Sequence, residues 1–120
     1  CVGLQIMFNS GVEGGTQSEG LGFAGGTVEK LDAPVIPHMG WNSLHIVKEH
    51  PIFKYVKEND HVYFVHSFYA ANCENSVIAT AEYGAPLTAA VAKGNVMGCQ
   101  FHPEKSGEAG LRLLKAFAEL

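Results

Sequence analysis

The chain has 120 residues, the length of one small domain, and no second domain is expected. With 47% hydrophobic and 17% charged residues it is too apolar for intrinsic disorder, and no stretch reaches the roughly 18 uncharged apolar residues of a membrane span, so a soluble globular chain is expected. Eight Lys and Arg against twelve Asp and Glu leave a net charge of -4, which argues against a phosphate-tracking basic surface and a nucleic-acid partner.

In chain order, Leu4, Ile6, Met7 and Phe8 could line one buried helical face, so the sequence predicts a short helix over 2–8, stopped by Asn9-Ser10-Gly11. Residues 11–26 hold seven glycines and predict a loop. Short runs with β-branched residues predict strands over 27–31, 35–38 and 43–47, separated by Pro34, Pro37 and a turn at Gly40-Trp41-Asn42. Pro51 opens a short helix through Tyr55 that Asn59-Asp60 ends. Strands follow over 61–66, 76–83, 88–92 and 96–101, with turns at Gly84-Ala85-Pro86 and Lys93-Gly94-Asn95, and the last two strands predict a hairpin. Leu111, Leu113, Leu114, Phe117 and Leu120 recur at helical spacing, with Ser106 as the expected N-cap of an amphipathic helix. Strands bracketed by an early and a late helix, without internal repeats, predict an α/β layer fold.

The cysteines, Cys1, Cys73 and Cys99, are odd in number and form no CxxC pair, so neither a disulfide framework nor a zinc knuckle is expected and a reducing cytoplasmic setting fits. Nothing in the sequence reads as a secretion signal. Cys73 and Cys99 read as buried small hydrophobes, and His45, His50 and His61 lack metal-ligand spacing.

Chemistry is suggested at two places. In Cys1-Val2-Gly3-Leu4-Gln5 a cysteine stands at the mouth of a helix, where unpaired N–H groups favour the thiolate. The small residue nearby would let a nucleophile elbow close, with the Val2 N–H aimed at the developing oxyanion. In Gln100-Phe101-His102-Pro103-Glu104-Lys105-Ser106, residues i and i+2 of extended backbone share a side, so Glu104 can reach the ring of His102. A carboxylate on one ring nitrogen sets the tautomer and leaves the other to exchange protons with a thiol.

These strings, Cys1-Val2-Gly3-Leu4-Gln5 and Phe101-His102-Pro103-Glu104-Lys105-Ser106, resemble the signatures of class I (triad-type) glutamine amidotransferases, in the family's order. Pro37-His38-Met39-Gly40-Trp41-Asn42 and Tyr63-Phe64-Val65-His66-Ser67-Phe68-Tyr69 resemble the branch whose members are glutaminase subunits in histidine biosynthesis. The resemblance covers essentially the whole chain. It implies a flavodoxin-like layered fold with a central, mostly parallel sheet flanked by helices. It also implies hydrolysis of L-glutamine through a thioester on Cys1, with His102 passing protons and Glu104 holding His102.

Gln5 and the segment His66, Ser67, Phe68 would hold the substrate. Met39, Trp41, Asn42 and Lys105 would face a cyclase subunit, a (β/α)8 barrel that uses the ammonia to make imidazole glycerol phosphate and AICAR. No cofactor or metal is implied. Family members carry strands and an oxyanion loop ahead of the nucleophile, so residues 1–120 are expected to be the C-terminal portion of a single domain, and catalysis by these residues alone is left open. Rival readings are a class I amidotransferase of nucleotide, carbamoyl phosphate or chorismate chemistry, an N-terminal nucleophile hydrolase using the Cys1 amine, and a non-catalytic docking module.

Overall fold

The computed structural model describes residues 2–11 and 18–120, without the side chains of Val2 and Ser18. Helix α1 (Val2–Gln5) is followed by strands β1 (Ser10–Gly11), β2 (Ser18–Glu19), β3 (Thr27–Lys30), β4 (His38–Ser43) and β5 (His45–Ile46). A 3-10 turn at Pro51–Phe53 leads to β6 (His61–His66), β7 (Phe68–Ala71), β8 (Val77–Glu82), β9 (Pro86–Lys93) and β10 (Val96–Cys99). A second 3-10 turn, Pro103–Lys105, precedes α2 (Gly107–Ala118).

The strands form three sheets, ordered β2-β1-β3-β7, β10-β9-β8-β5 and β4-β6. Among the described residues only β1 and β3 pair in parallel; the expectation of a mostly parallel sheet is not met here. The reason is connection length. Parallel neighbours need a crossover of roughly a dozen residues or more, whereas β8, β9 and β10 follow one another through tight turns that permit only antiparallel pairing. The predicted hairpin is present, with Val96 opposite Lys93 and Cys99 opposite Ala90.

Burial follows the sequence pattern where strands alternate. In β6, Val62, Phe64 and His66 point inward while His61 is exposed and Tyr63 and Val65 are intermediate. Strand β9 lies between β8 and β10 and is buried from Leu87 through Val91, the continuous apolar reading of a strand covered on both faces. The larger core joins Leu44, Phe53, Val62, Phe64, Ile78, Ala89, Phe101 and Leu113. A smaller one joins Leu4, Met7, Phe8, Val28, Ala70, Cys73 and Val91.

Several expectations are corrected. Helix α1 ends at Gln5 rather than Phe8, because the carbonyls of Ile6, Met7 and Phe8 accept from Leu21, Ala24 and Gly22 across the chain instead of continuing a helix. Leu4, Met7 and Phe8 are buried as expected, but Ile6 is exposed. The predicted loop over 11–26 contributes Gly11 to β1 and Ser18–Glu19 to β2, while residues 12–17 lie outside the described residues. No strand occupies 35–37. Pro34 and Pro37 offer no ladder donor, and the strand begins at His38. Gly40-Trp41-Asn42 is therefore not a turn but the middle of β4, opposite Phe64, Tyr63 and Val62, with Gly40 holding a φ of 120°. Strand β7 was not anticipated.

In α2, Ala109, Gly110, Leu113 and Ala116 face the core, while Leu111, Leu114 and Phe117, and Leu120 beyond its end, are exposed. Gly110 is demanded by a close approach: a Cβ there would sit 1.9 Å from the Pro103 carbonyl oxygen.

Candidate active site

The segment after β10 sits against β6. The His102 N–H donates to the Tyr63 carbonyl at 2.9 Å, and the Tyr63 N–H donates to Ser106 Oγ at 2.9 Å. Ser106 Oγ also donates to the His102 carbonyl at 2.6 Å. Its hydroxyl is thus committed to the loop and makes no capping bond to α2, contrary to the expected N-cap. The burial of Ser106 explains the choice, since an interior Tyr63 N–H without a partner would cost roughly 1–3 kcal/mol.

Within this loop His102 Nδ1 lies 2.9 Å from Glu104 Oε1, the contact expected from their spacing. Pro103 starts the 3-10 turn that brings the two side chains together. The Glu104 carboxyl is held below its ordinary range, first by its own backbone N–H and then by the His102 ring. A carboxylate on Nδ1 fixes the ring orientation and leaves Nε2 for proton exchange. Cys1, the expected nucleophile, lies outside the described residues. Val2 is the first residue of α1, where backbone N–H groups lack helical partners.

The glutamine-holding residues expected from the sequence do come together. Gln5 Nε2 donates to the Phe68 carbonyl at 3.5 Å, and His66 Nδ1 donates to the same oxygen at 2.8 Å. The Ser67 carbonyl accepts from the Leu31 N–H at 2.8 Å, which anchors the bend between β6 and β7.

Met39 and Trp41 are 62% and 56% exposed on β4. The Trp41 ring packs edge-on against Tyr63, at 6.0 Å between centroids, and approaches Gly107 just after the exposed Lys105. Of the expected partner-facing residues, Trp41 therefore lies near the His102 loop that carries Lys105. Asn42 differs from them, its side-chain amide being engaged by His38 and by the Glu82 carbonyl.

His38 carries an arrangement that sequence reasoning missed. It is buried at 3% exposure, lies directly opposite His66 in the ladder, and places Nδ1 2.9 Å from His66 Nε2. The signal was weak: two histidines 28 residues apart, each at an inward-facing strand position, become neighbours only once the β4–β6 register is known. Burial lowers the pKa of His38 and pushes that of His66 down to about 4. Cys73 is buried beside Thr88 as expected, whereas Cys99, at the end of a strand, is only partly buried; burial still raises its thiol to about 12. No group of His, Cys, Asp or Glu among the described residues could hold a metal ion. Among those residues no helix is long and apolar enough to cross a membrane.

Residues 1–119 match the family model "Glutamine amidotransferase class-I", and the chain belongs to that family. At finer scale it is 48% identical, over 100% of its length, to the "Imidazole glycerol phosphate synthase subunit HisH" of Caldanaerobacter subterraneus subsp. tengcongensis. It is 50% identical over 98% of its length to the protein of that name from Bacillus cytotoxicus, and 43% identical over 100% to the one from Methanocaldococcus jannaschii. The matches cover 60%, 56% and 61% of those relatives, so the chain spans little more than half their length.

Proposed function

We propose that the chain is the C-terminal portion of a glutaminase domain of imidazole glycerol phosphate synthase, working in the cytoplasm and passing ammonia to a cyclase subunit. In this reading the Cys1 thiolate attacks the side-chain amide of glutamine, and the Val2 N–H stabilises the tetrahedral oxyanion. His102, held by Glu104, protonates the departing ammonia to leave a glutamyl thioester. It then removes a proton from the water that releases glutamate. Gln5 and the His66–Phe68 bend hold the amino-acid end of the substrate. Met39, Trp41, Asn42 and Lys105 face the cyclase, a (β/α)8 barrel.

The observation that carries the reading is the His102 to Glu104 contact of 2.9 Å, formed in a loop hung on β6 beside the exposed Trp41 face. The test is Cys1→Ala in the intact protein with its cyclase. Glutamine hydrolysis should fall by at least about 10³-fold while the complex still assembles, because the nucleophile is removed and the docking face is not. Unchanged hydrolysis would rule out the thioester route, and wild-type protein that binds the cyclase without hydrolysing glutamine would mark a docking module.

A further inference from the structure

The two buried histidines form a hydrogen-bond chain whose direction is fixed from both ends. At one end the Phe68 carbonyl can only accept, so His66 Nδ1 carries the proton. Its burial keeps the ring neutral, which leaves Nε2 as an acceptor and makes His38 Nδ1 the donor to it. His38 Nε2 then accepts from Asn42 Nδ2 at 3.2 Å. The far end gives the same answer independently. Asn42 Nδ2 donates to the Glu82 carbonyl at 2.8 Å and Asn42 Oδ1 accepts from the Ser43 N–H at 2.8 Å, so backbone groups set the amide orientation. Both imidazoles therefore carry their proton on Nδ1.

The His38 ring has no room to turn away from this arrangement. It is stacked between Phe64, 4.6 Å between centroids and 23° between planes, and Tyr83, at 4.1 Å and 25°. The Tyr83 hydroxyl is itself tied to the Val35 carbonyl at 2.7 Å. At the other end of the chain, the bond from the His66 side chain to the Phe68 carbonyl closes a small ring around Ser67, so the orientation of the His66 ring sets the shape of the bend.

Resting on the glutaminase reading above, we propose that His38 is a positioning residue for the substrate: acting through His66, it holds the His66–Ser67–Phe68 bend in the shape that takes the amino-acid end of glutamine. Neither ring touches the reacting amide. Loss of the His38 donor leaves His66 Nε2 buried without a partner, frees the ring to rotate and loosens the bend. This weakens the grip on glutamine more than it slows the chemistry.

The experiment is steady-state glutamine hydrolysis by the intact protein with its cyclase, comparing His38→Phe with His38→Asn. Phenylalanine keeps the stack between Phe64 and Tyr83 but has neither ring nitrogen. Asparagine can place its amide N–H near the position of Nδ1 and keep the donation to His66. His38→Phe should raise KM for glutamine roughly 5–10-fold with kcat changed less than about 3-fold, and His38→Asn should recover most of the loss. An unchanged KM in a folded His38→Phe protein overturns the proposal, as does an equal effect of both variants on kcat and KM. Should His38→Phe fail to fold, long-range proton–nitrogen NMR of the wild-type rings decides: Nδ1–H on both supports the chain, and Nε2–H on either overturns it. Wild-type protein that does not hydrolyse glutamine sinks the glutaminase reading and this role with it, whereas an active wild type with an indifferent His38→Phe sinks this role alone.

Discussion

The same side chain is put to two uses within a short distance along β6. At the Tyr63 end, His102 sits in a partly open loop against a charged carboxylate. At the other end, His66 and His38 are sealed in aromatic and aliphatic packing and bonded only to neutral groups. A carboxylate partner stabilises an imidazolium, as proton transfer requires, whereas a carbonyl, a second imidazole and an amide hold a neutral ring in one tautomer. The difference lies in the partners and the solvent: one histidine faces a carboxylate at a partly open site, the other two face only neutral groups in the interior.

That contrast can be broken or sharpened by experiment. The largest effect is expected at the open site. Glu104→Gln should cut glutamine turnover by roughly 10²-fold or more, because the amide no longer stabilises a protonated His102, while thermal stability barely moves at so exposed a position. Loss of stability without loss of turnover would mean that the carboxylate is structural.

Next comes the sealed pair, read through pH. The folded His66 pKa is about 4 against an ordinary 6.5, so the unfolded chain binds more protons between these values. Stability is then fully present above pH 6.5 and declines as the pH falls toward 4, by on the order of 3 kcal/mol. His38 shifts in the same direction. The shifted carboxyls, Glu58, Glu104 and Glu119, are all lowered, so they add a loss of the same sign only as the pH nears 4.5, and urea denaturation between pH 6.5 and about 5.5 reads the histidines with least contribution from them. A flat profile would show that the rings are protonated or hydrated in the folded protein.

The smallest effect is expected at a fourth histidine that belongs to neither class. His45 pairs with Glu58 at 2.6 Å, yet both side chains are well exposed, at 66% and 46%. His45→Gln should shift the melting temperature by no more than about 2 °C. A larger shift would mean that proximity alone, without burial, is enough to make a histidine pair matter.

How much of this was legible in the sequence differs between the two regions for a physical reason. The His102 to Glu104 contact is local, set by a spacing of two and a proline between, so reading along the chain sufficed. The strand over 61–66 was legible because alternation and β-branching agree with its half-buried place. The His38 to His66 pair depends on register between strands far apart in the chain. Gly40-Trp41-Asn42, part of the string that pointed to one branch of the family, was read as a turn when it is a strand. Glycine and asparagine carry turn propensity, and only pairing with Val62, Tyr63 and Phe64 overrides it. Sheet direction was the other failure, since it follows from connection geometry more than from the composition of each strand.

The way Ser106 and His102 engage Tyr63 has a consequence for association between molecules. On its β4 side β6 is paired, and on the opposite side both backbone groups of Tyr63 are already taken, one by a hydroxyl and one by the His102 amide. An unpaired strand edge at this point would invite a stray strand to dock and seed aggregation. The loop that carries the histidine and carboxylate closes that opening, so the residues proposed for turnover also stand guard over the solubility of the sheet beneath them.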